Sequence, residues 1–252
     1  MFRRLYNAYF NAIYHQGIRN YKNAILSMID ANPFGKILDL GCDDGIWTIE
    51  LAQKMDAQKG NIFGIELIRK RYKAAIKRGI IVKEVDLNEN FPFPDREFDL
   101  VHANQVIEHI WDLDNFVLEI KRVLKPQGYA IICTENLSSW HNIAALIFGF
   151  QPFSLTNVSR LGPIGNPFAL KAVQGPSYIT WLHTRILSYE GLRDIFIKHG
   201  FLVEEYRCVG YFPLPSIIAE FFAYVDSRHA AFPIIKVRKT QEKIKKVKLR
   251  KV

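Results

Sequence analysis

The stretch ILDLGCDDGIWTIEL (Ile37–Leu51) carries the reading of this chain. An apolar strand bearing one acid, Asp39, meets the turn Gly41-Cys42-Asp43-Asp44-Gly45, and an amphipathic helix begins at once. In an open α/β sheet, ligands bind outside the carboxyl ends of the strands, where glycines let the backbone approach closely. Helix N-termini there present unpaired N–H groups. The turn predicts a ligand of nucleotide type at the first βα junction. The dinucleotide pattern G-x-G-x-x-G does not fit Gly41-Cys42-Asp43-Asp44-Gly45-Ile46, so a NAD dehydrogenase is set aside.

Outward from this stretch, strands and helices alternate. Strand-like runs fall at 36–40, 61–66, 80–85, 98–103 and 129–133, with helical runs at 45–55, 69–78 and 113–124 between them. That rhythm predicts a doubly wound, mostly parallel sheet. Before it, apolar and aromatic residues at helical spacing from Phe2 to Met28 predict one or two amphipathic helices over residues 1–34, stopped near Asn32-Pro33. The main domain is expected over 35–240. Within it the rhythm fails between 135 and 183, where a short apolar helix precedes a loop rich in Gly, Pro and Asn. A connection of that length is usually functional or disordered. Its aromatics (among them Trp140, Phe148, Phe153, Phe168, Tyr178 and Trp181) favour a lid or cap over disorder. A helix over 188–199 with Gly200 behind it, a strand at 201–209, a helix at 215–224 and a strand at 233–240 complete the chain.

The chain has 252 residues, 49% of them apolar and 13% aromatic, enough for a packed core. Its net charge of +9 is uneven. Lys236 to Val252 holds nine Lys or Arg and one acid, so +8 resides there and the remaining body is nearly neutral. Cys42, Cys133 and Cys208 lack metal-type spacing and read as buried, reduced thiols of a cytoplasmic protein. The start of the chain has no continuous apolar h-region, and no run reaches the ~18 apolar residues of a spanning helix.

Acids or amides close four successive strands. Asp39 belongs to the first, Glu66 ends the second, Asp86 the third, and Asn104-Gln105-Val106-Ile107-Glu108-His109 follows the fourth. A carboxylate after the second strand can accept from both hydroxyls of a ribose, and one after the third can accept from an exocyclic amine.

This ordered set resembles the class I S-adenosylmethionine-dependent methyltransferases, in particular their small-molecule branch, which includes enzymes of quinone biosynthesis. The resemblance covers about 35–136, with an echo at 183–201. It implies a seven-stranded Rossmann-like sheet ending in a hairpin made by 201–209 and 233–240. It implies S-adenosyl-L-methionine as cofactor, with Asp39, Gly41, Cys42 and Gly45 around its methionine part and Glu66 with Leu67 at the ribose. Asp86 and Leu87 are then expected at the adenine, Asn104 with Gln105 beneath the sulfonium, and no metal is implied. Two departures stand out. Asp43 occupies the middle of the turn, where the family often has glycine, so its side chain must point away or meet the cofactor's ammonium group. Asn104-Gln105-Val106-Ile107 also lacks the Asn/Asp-Pro-Pro-aromatic signature of amide and base methylation, which disfavours nucleic-acid adenine as substrate.

A hydroxyl or amine acceptor needs a place for its proton. His109, His141, His183, Glu108 and Glu135 are the candidates; His183 and His109 are taken as catalytic. His183 closes the insertion before Thr184-Arg185, where similar enzymes often carry His and Arg facing the acceptor. The alternative roles are a lid-to-body hydrogen bond for His183 and packing at a helix start for His109. The aromatic insertion suits a small-molecule or lipid-linked acceptor. The basic C-terminal segment (241–252 as a tail), together with apolar 213–224, suggests peripheral contact with an anionic membrane; RNA binding and a merely solvated end are the other readings. A methyltransferase-fold protein with an RNA-associated or regulatory task is the rival function. Oligomeric state and acceptor identity are not legible in the sequence.

Overall fold

A computed structural model describes residues 2–169 and 182–240. Tyr178, Trp181 and the 241–252 tail, each assigned a role above, lie outside the described residues. Seven strands form one sheet in the order β3-β2-β1-β4-β5-β7-β6. They are β1 (Ile37–Leu40), β2 (Ile62–Ile65), β3 (Ile81–Lys83), β4 (Phe98–Asn104), β5 (Leu124–Cys133), β6 (Phe201–Val209) and β7 (Phe232–Lys239). The first five are mutually parallel, and β7 runs antiparallel between β5 and β6. The sheet is therefore mostly parallel, with one terminal hairpin.

Among the described residues seven α-helices flank it: α1 (Phe2–Ser27), α2 (Ile46–Met55), α3 (Arg69–Lys77), α4 (Leu113–Val123), α5 (Trp140–Ile147), α6 (Tyr189–Lys198) and α7 (Ser216–Val225). The side chains of a buried strand alternate between faces, so each face must be covered. Leu38, Leu40, Val101, Ala103, Ala130 and Ile132 pack with Phe116 of α4 and Phe196 of α6. Ile37, Leu100, Tyr129 and Ile131 face the other way, onto Ile25 of α1, Met28 just past it, and Leu51 and Met55 of α2. The N-terminal segment is a single helix whose second half is core, with Tyr21 stacked edge-on against Phe232 at 5.2 Å.

Local chemistry fixes the ends. Asp112 caps α4 by accepting from Asn115 N–H, and Ser188 caps α6 by accepting from Gly191 N–H. Gly200 has φ +74°, the left-handed conformation that ends a helix cheaply. β5 starts five residues earlier than its apolar run suggests, because Lys125-Pro126-Gln127 are exposed or half-buried and the register with β4 shifts between Phe98 and Leu100.

Candidate active site

The glycine turn is shaped by two residues with no room for a side chain. Gly41 has φ +72°, and a Cβ there would lie 2.8 Å from Val106 Cγ2; Gly45 has φ +83°, and its Cβ would meet Ile80 Cδ1 at 2.5 Å. Between them the amides of Gly41 and Cys42 both donate to Ile65 O, which ties the turn to the end of β2. Burial drives the Cys42 thiol pKa up, and the thiol packs where any Cβ on Gly64 would have to be. Cys42 therefore turns its side chain to the core, while its N–H donates to Ile65 O and its C=O accepts from Gly45 N–H. Asp43, at φ +50°, turns its carboxylate to Arg71 Nε at 3.1 Å. Of the two orientations open to it in sequence, its carboxylate takes an ion-pair partner on α3.

Asp39 is 2% exposed and both its oxygens are engaged. Oδ2 accepts from Thr48 Oγ1 at 2.5 Å, and Oδ1 lies 2.7 Å from His102 Nδ1. The parallel register sets Asp39 beside His102, which brings the two side chains together on one face. Glu66, raised in pKa by burial, binds the turn to the next helix: Oε2 accepts from Asp43 N–H at 3.0 Å and Oε1 from Ile68 N–H at 2.7 Å. Each oxygen keeps a second lone pair for a ligand. Leu67 beside it is exposed. Asp86 is exposed too, folded into a local turn in which Oδ1 accepts from the backbone and side-chain N–H of Asn88, while Leu87 packs on the core.

At the end of β4, Gln105 has φ +56°, a conformation unfavourable for a non-glycine residue. Its N–H donates to Cys133 O, and this kink ends the strand at Asn104. Asn104 Oδ1 is buried and unpartnered, as are one oxygen of Glu108 and one of Glu135. Buried polar atoms without partners are uncommon and mark sites that expect a ligand. The acids, amides and glycines thus line one sheet edge with acceptors to spare, which fits a cofactor rich in hydroxyls and amines.

Beyond Asn104 the side chains form a tight cluster. His109 and His183 meet edge to face at 4.9 Å, and ligating atoms of Glu108, His109 and His183 all lie within 4.8 Å of one another. His109 Nδ1 donates to Leu182 O at 2.9 Å and His183 Nδ1 to Ser154 O at 2.6 Å. A ring that donates from Nδ1 while neutral carries its lone pair on Nε2. Burial lowers both imidazole pKa values, so both rings are neutral near pH 7. Burial also pushes Glu108 up to about 7, countered by His183, and pushes Glu135 up to about 7. Glu108 is further held by Thr134 Oγ1 at 2.8 Å. Tyr14 of α1 reaches this group; desolvation and then the Glu135 and Glu108 charges push its phenol up to about 12.

Other expectations resolve differently. Arg185 donates to Trp111 O at 2.6 Å, and Thr184 donates twice to Glu108 O; these residues pin the returning insertion to the turn after β4. His141 is packed among Phe153 and Phe212, and burial lowers it to about 4, a poor base at neutral pH. Tyr14, Thr48, Thr134 and His102 were not singled out in sequence. Only the strand register could have found His102.

The sheet order, the glycine turn and this edge define a class I methyltransferase fold. Among solved structures of that fold, a Thermotoga maritima S-adenosylmethionine-dependent methyltransferase described as a possible histamine N-methyltransferase superposes with a TM-score of 0.58 at 20% identity, over 95% of this chain and 96% of that one. Haemonchus contortus phosphoethanolamine N-methyltransferase 2, solved with S-adenosyl-L-methionine, gives 0.56 at 18% identity over 88% and 53%. The methyltransferase domain model matches residues 13–205, and the chain belongs to that family, whose cofactor is S-adenosyl-L-methionine. An uncharacterised methyltransferase of Schizosaccharomyces pombe is 35% identical over 40% of this chain and 39% of its own length, so the match spans about two fifths of that relative. A demethylmenaquinone methyltransferase of Lactiplantibacillus plantarum is 25% identical over 73% and 77%, and a ubiquinone biosynthesis O-methyltransferase of Bradyrhizobium diazoefficiens 30% over 46% of each chain. Among the described residues, no helix is long and apolar enough to cross a membrane.

Proposed function

We propose that the protein methylates a hydroxyl oxygen of a small-molecule or lipid-linked acceptor, with His183 taking the hydroxyl proton. The observation that carries this reading is the pair of imidazoles, His109 and His183, edge to face at 4.9 Å, each with Nδ1 against a backbone carbonyl and beside the buried carboxyls of Glu108 and Glu135. A hydroxyl must lose its proton as it attacks, and a buried neutral imidazole can receive it. The printed name of the Bradyrhizobium relative, an O-methyltransferase, supports oxygen as the acceptor atom.

When bound, S-adenosyl-L-methionine supplies an activated methyl group on a sulfonium. Glu66 would hold the ribose, with Leu67 alongside; Asp86 and Leu87 would meet the adenine. Asp39, Gly41, Cys42 and Gly45 would form the wall around the methionine part, with Asn104 and Gln105 beneath the sulfonium. In this reading Asp39 is a positioning residue, because Thr48 and His102 take both its oxygens. His183 Nε2 would take the acceptor's hydroxyl proton, while the methyl carbon exchanged its bond to the cofactor's sulfur for one to the oxygen and the thioether left. Glu108 and Glu135 then stabilise the imidazolium. His109 packs edge-on against His183 and fixes the ring's tilt. The insertion, clamped at Thr184 and Arg185, excludes water and orients the acceptor.

His183→Ala is expected to reduce turnover by roughly 10²–10⁴-fold while cofactor affinity stays within a factor of about two. Methyl transfer from labelled cofactor to metabolite, lipid and RNA fractions supplies the acceptor for that assay. Unchanged turnover with the acceptor so found would remove His183 from the chemistry.

A further inference from the structure

The cofactor edge has one chemical gap. The charged side chains placed at the cofactor are all acids (Asp39, Glu66 and Asp86), and the unpartnered atom of Asn104 is its oxygen. Those groups suit ribose hydroxyls, the adenine amine and the methionine ammonium. The methionine part also ends in a carboxylate, which calls for donors and positive charge. Of the five buried side-chain atoms left without a hydrogen-bond partner among the described residues, Trp47 Nε1 is the one that can only donate. A buried indole N–H normally finds an acceptor. Trp47 lies in the first turn of α2, two residues past Gly45, at the positive end of that helix. Its ring is 6.2 Å from that of His102, whose Nδ1 is held by Asp39 at 2.7 Å. The indole therefore packs beside the acid placed at the methionine part.

Lys22 of α1 lies over the same ring, its Nζ 4.4 Å from the ring centre. Two other cations beside the glycine turn are already paired, Arg71 with Asp43 at 3.1 Å and Arg78 with Asp44 at 3.5 Å. Lys22 is half-buried and has no carboxylate partner among the described residues. Its own helix supplies none, since α1 is without Asp or Glu over all 26 residues. The neighbouring Tyr21 reaches the side chain of Asn104. This face of α1 thus runs along the cofactor edge, from the amide placed beneath the sulfonium to the wall of the methionine part. A cation–π contact holds the ammonium in place without neutralising it.

We propose that Lys22 and Trp47 hold the carboxylate of the cofactor's methionine part, the first by its charge and the second by its indole N–H; this rests on S-adenosyl-L-methionine being the ligand. A carboxylate has lone pairs enough to accept from both. The acids then take the cofactor's donors, and the Lys22–Trp47 pair takes its one anionic group. The pair also sets specificity. A ligand with the adenosine and the sulfonium but no carboxylate gains nothing from Lys22 and leaves the indole N–H without an acceptor.

The test is isothermal calorimetry of the full chain with S-adenosyl-L-methionine and with decarboxylated S-adenosylmethionine, which differs from it by the carboxylate alone. The parent, Lys22→Met, Lys22→Arg and Trp47→Phe are compared, and thermal unfolding of each ligand-free protein checks the fold. The parent is expected to bind S-adenosyl-L-methionine more tightly than the decarboxylated compound by roughly tenfold or more. Lys22→Met should lose roughly tenfold or more in affinity for the first and stay within about twofold of the parent, or gain, for the second. Lys22→Arg keeps the charge and should remain within about threefold of the parent on both, with Trp47→Phe between Lys22→Arg and Lys22→Met. Equal binding of the two compounds by the parent would overturn the proposal and leave the cofactor reading standing. Undiminished selectivity in Lys22→Met and Trp47→Phe would overturn it too, as would an equal loss for both compounds, the mark of a structural role. A parent that binds neither compound would overturn the cofactor reading and this proposal with it. If Trp47→Phe does not fold, Lys22→Met and Lys22→Arg decide.

Discussion

Asp39 and His102 show what one pair of residues contributes beneath the cofactor turn. Asp39 is visible in sequence as the acid of an apolar strand, but its partners are set by register and by α2, which spacing along the chain does not encode. Asp39→Asn replaces a charge-assisted acceptor by an amide between Thr48 and His102 in a site closed to water. The expected loss is about 2–4 kcal/mol of unfolding free energy by urea denaturation, with cofactor affinity falling only as the turn loosens. An unchanged midpoint with abolished cofactor binding would instead make Asp39 a direct ligand. His183 stood out in sequence as the residue that closes an aromatic insertion; the bond it donates to Ser154 O and its nearness to Glu135 belong to tertiary structure and did not.

At the scale of the element, the turn between β1 and α2 was legible nearly in full. Gly45 is the strictest position: a side chain there meets Ile80 and the backbone of Ala75, and the left-handed φ adds strain. Gly45→Ala should cost about 1–3 kcal/mol and weaken cofactor binding together with stability, measured by denaturation and calorimetry on the same variant. Strands of alternating or continuous apolar pattern were found to within a few residues. β5 was truncated in the sequence reading because its exposed Lys125-Pro126-Gln127 start looks like a loop. α7 was found as a helix, but its exposure was not foreseeable: apolar composition predicts burial, and only packing shows that, among its described side chains, Ala219 and Ala223 alone are buried.

For the whole molecule, the buried acids at the site set a pH dependence of stability. Glu108 and Glu135 sit above the ordinary 4.5, at about 7. Groups raised in this way contribute stability that is complete below pH ~4.5 and is lost as pH rises through about 7. His141, His183 and His109 are lowered, so their contribution is present above their ordinary 6.5 and is lost as pH falls through their folded values, for His141 about 4. Glu108→Gln removes one term of the first kind. It should raise unfolding free energy at pH 8 by roughly 3 kcal/mol relative to the parent, with the difference vanishing near pH ~4. A constant offset across that range in urea titrations would mean that Glu108 ionises normally in the folded state. The mostly parallel sheet and the cofactor edge were legible in sequence, because strands and helices alternate and acids, amides and glycines close successive strands. The terminal hairpin of 201–209 and 233–240 was expected from the family resemblance; the register by which β7 pairs antiparallel with both β5 and β6 is a tertiary property that no local pattern specifies.

The most direct measurement is isothermal calorimetry of S-adenosyl-L-methionine and its demethylated product with the parent chain, Glu66→Ala and His183→Ala. The expected result is one site on the parent, affinity lowered at least about tenfold in Glu66→Ala, and near-parental affinity in His183→Ala. A parent chain that binds neither compound, or a Glu66→Ala variant that binds both as well as the parent does, would contradict the account.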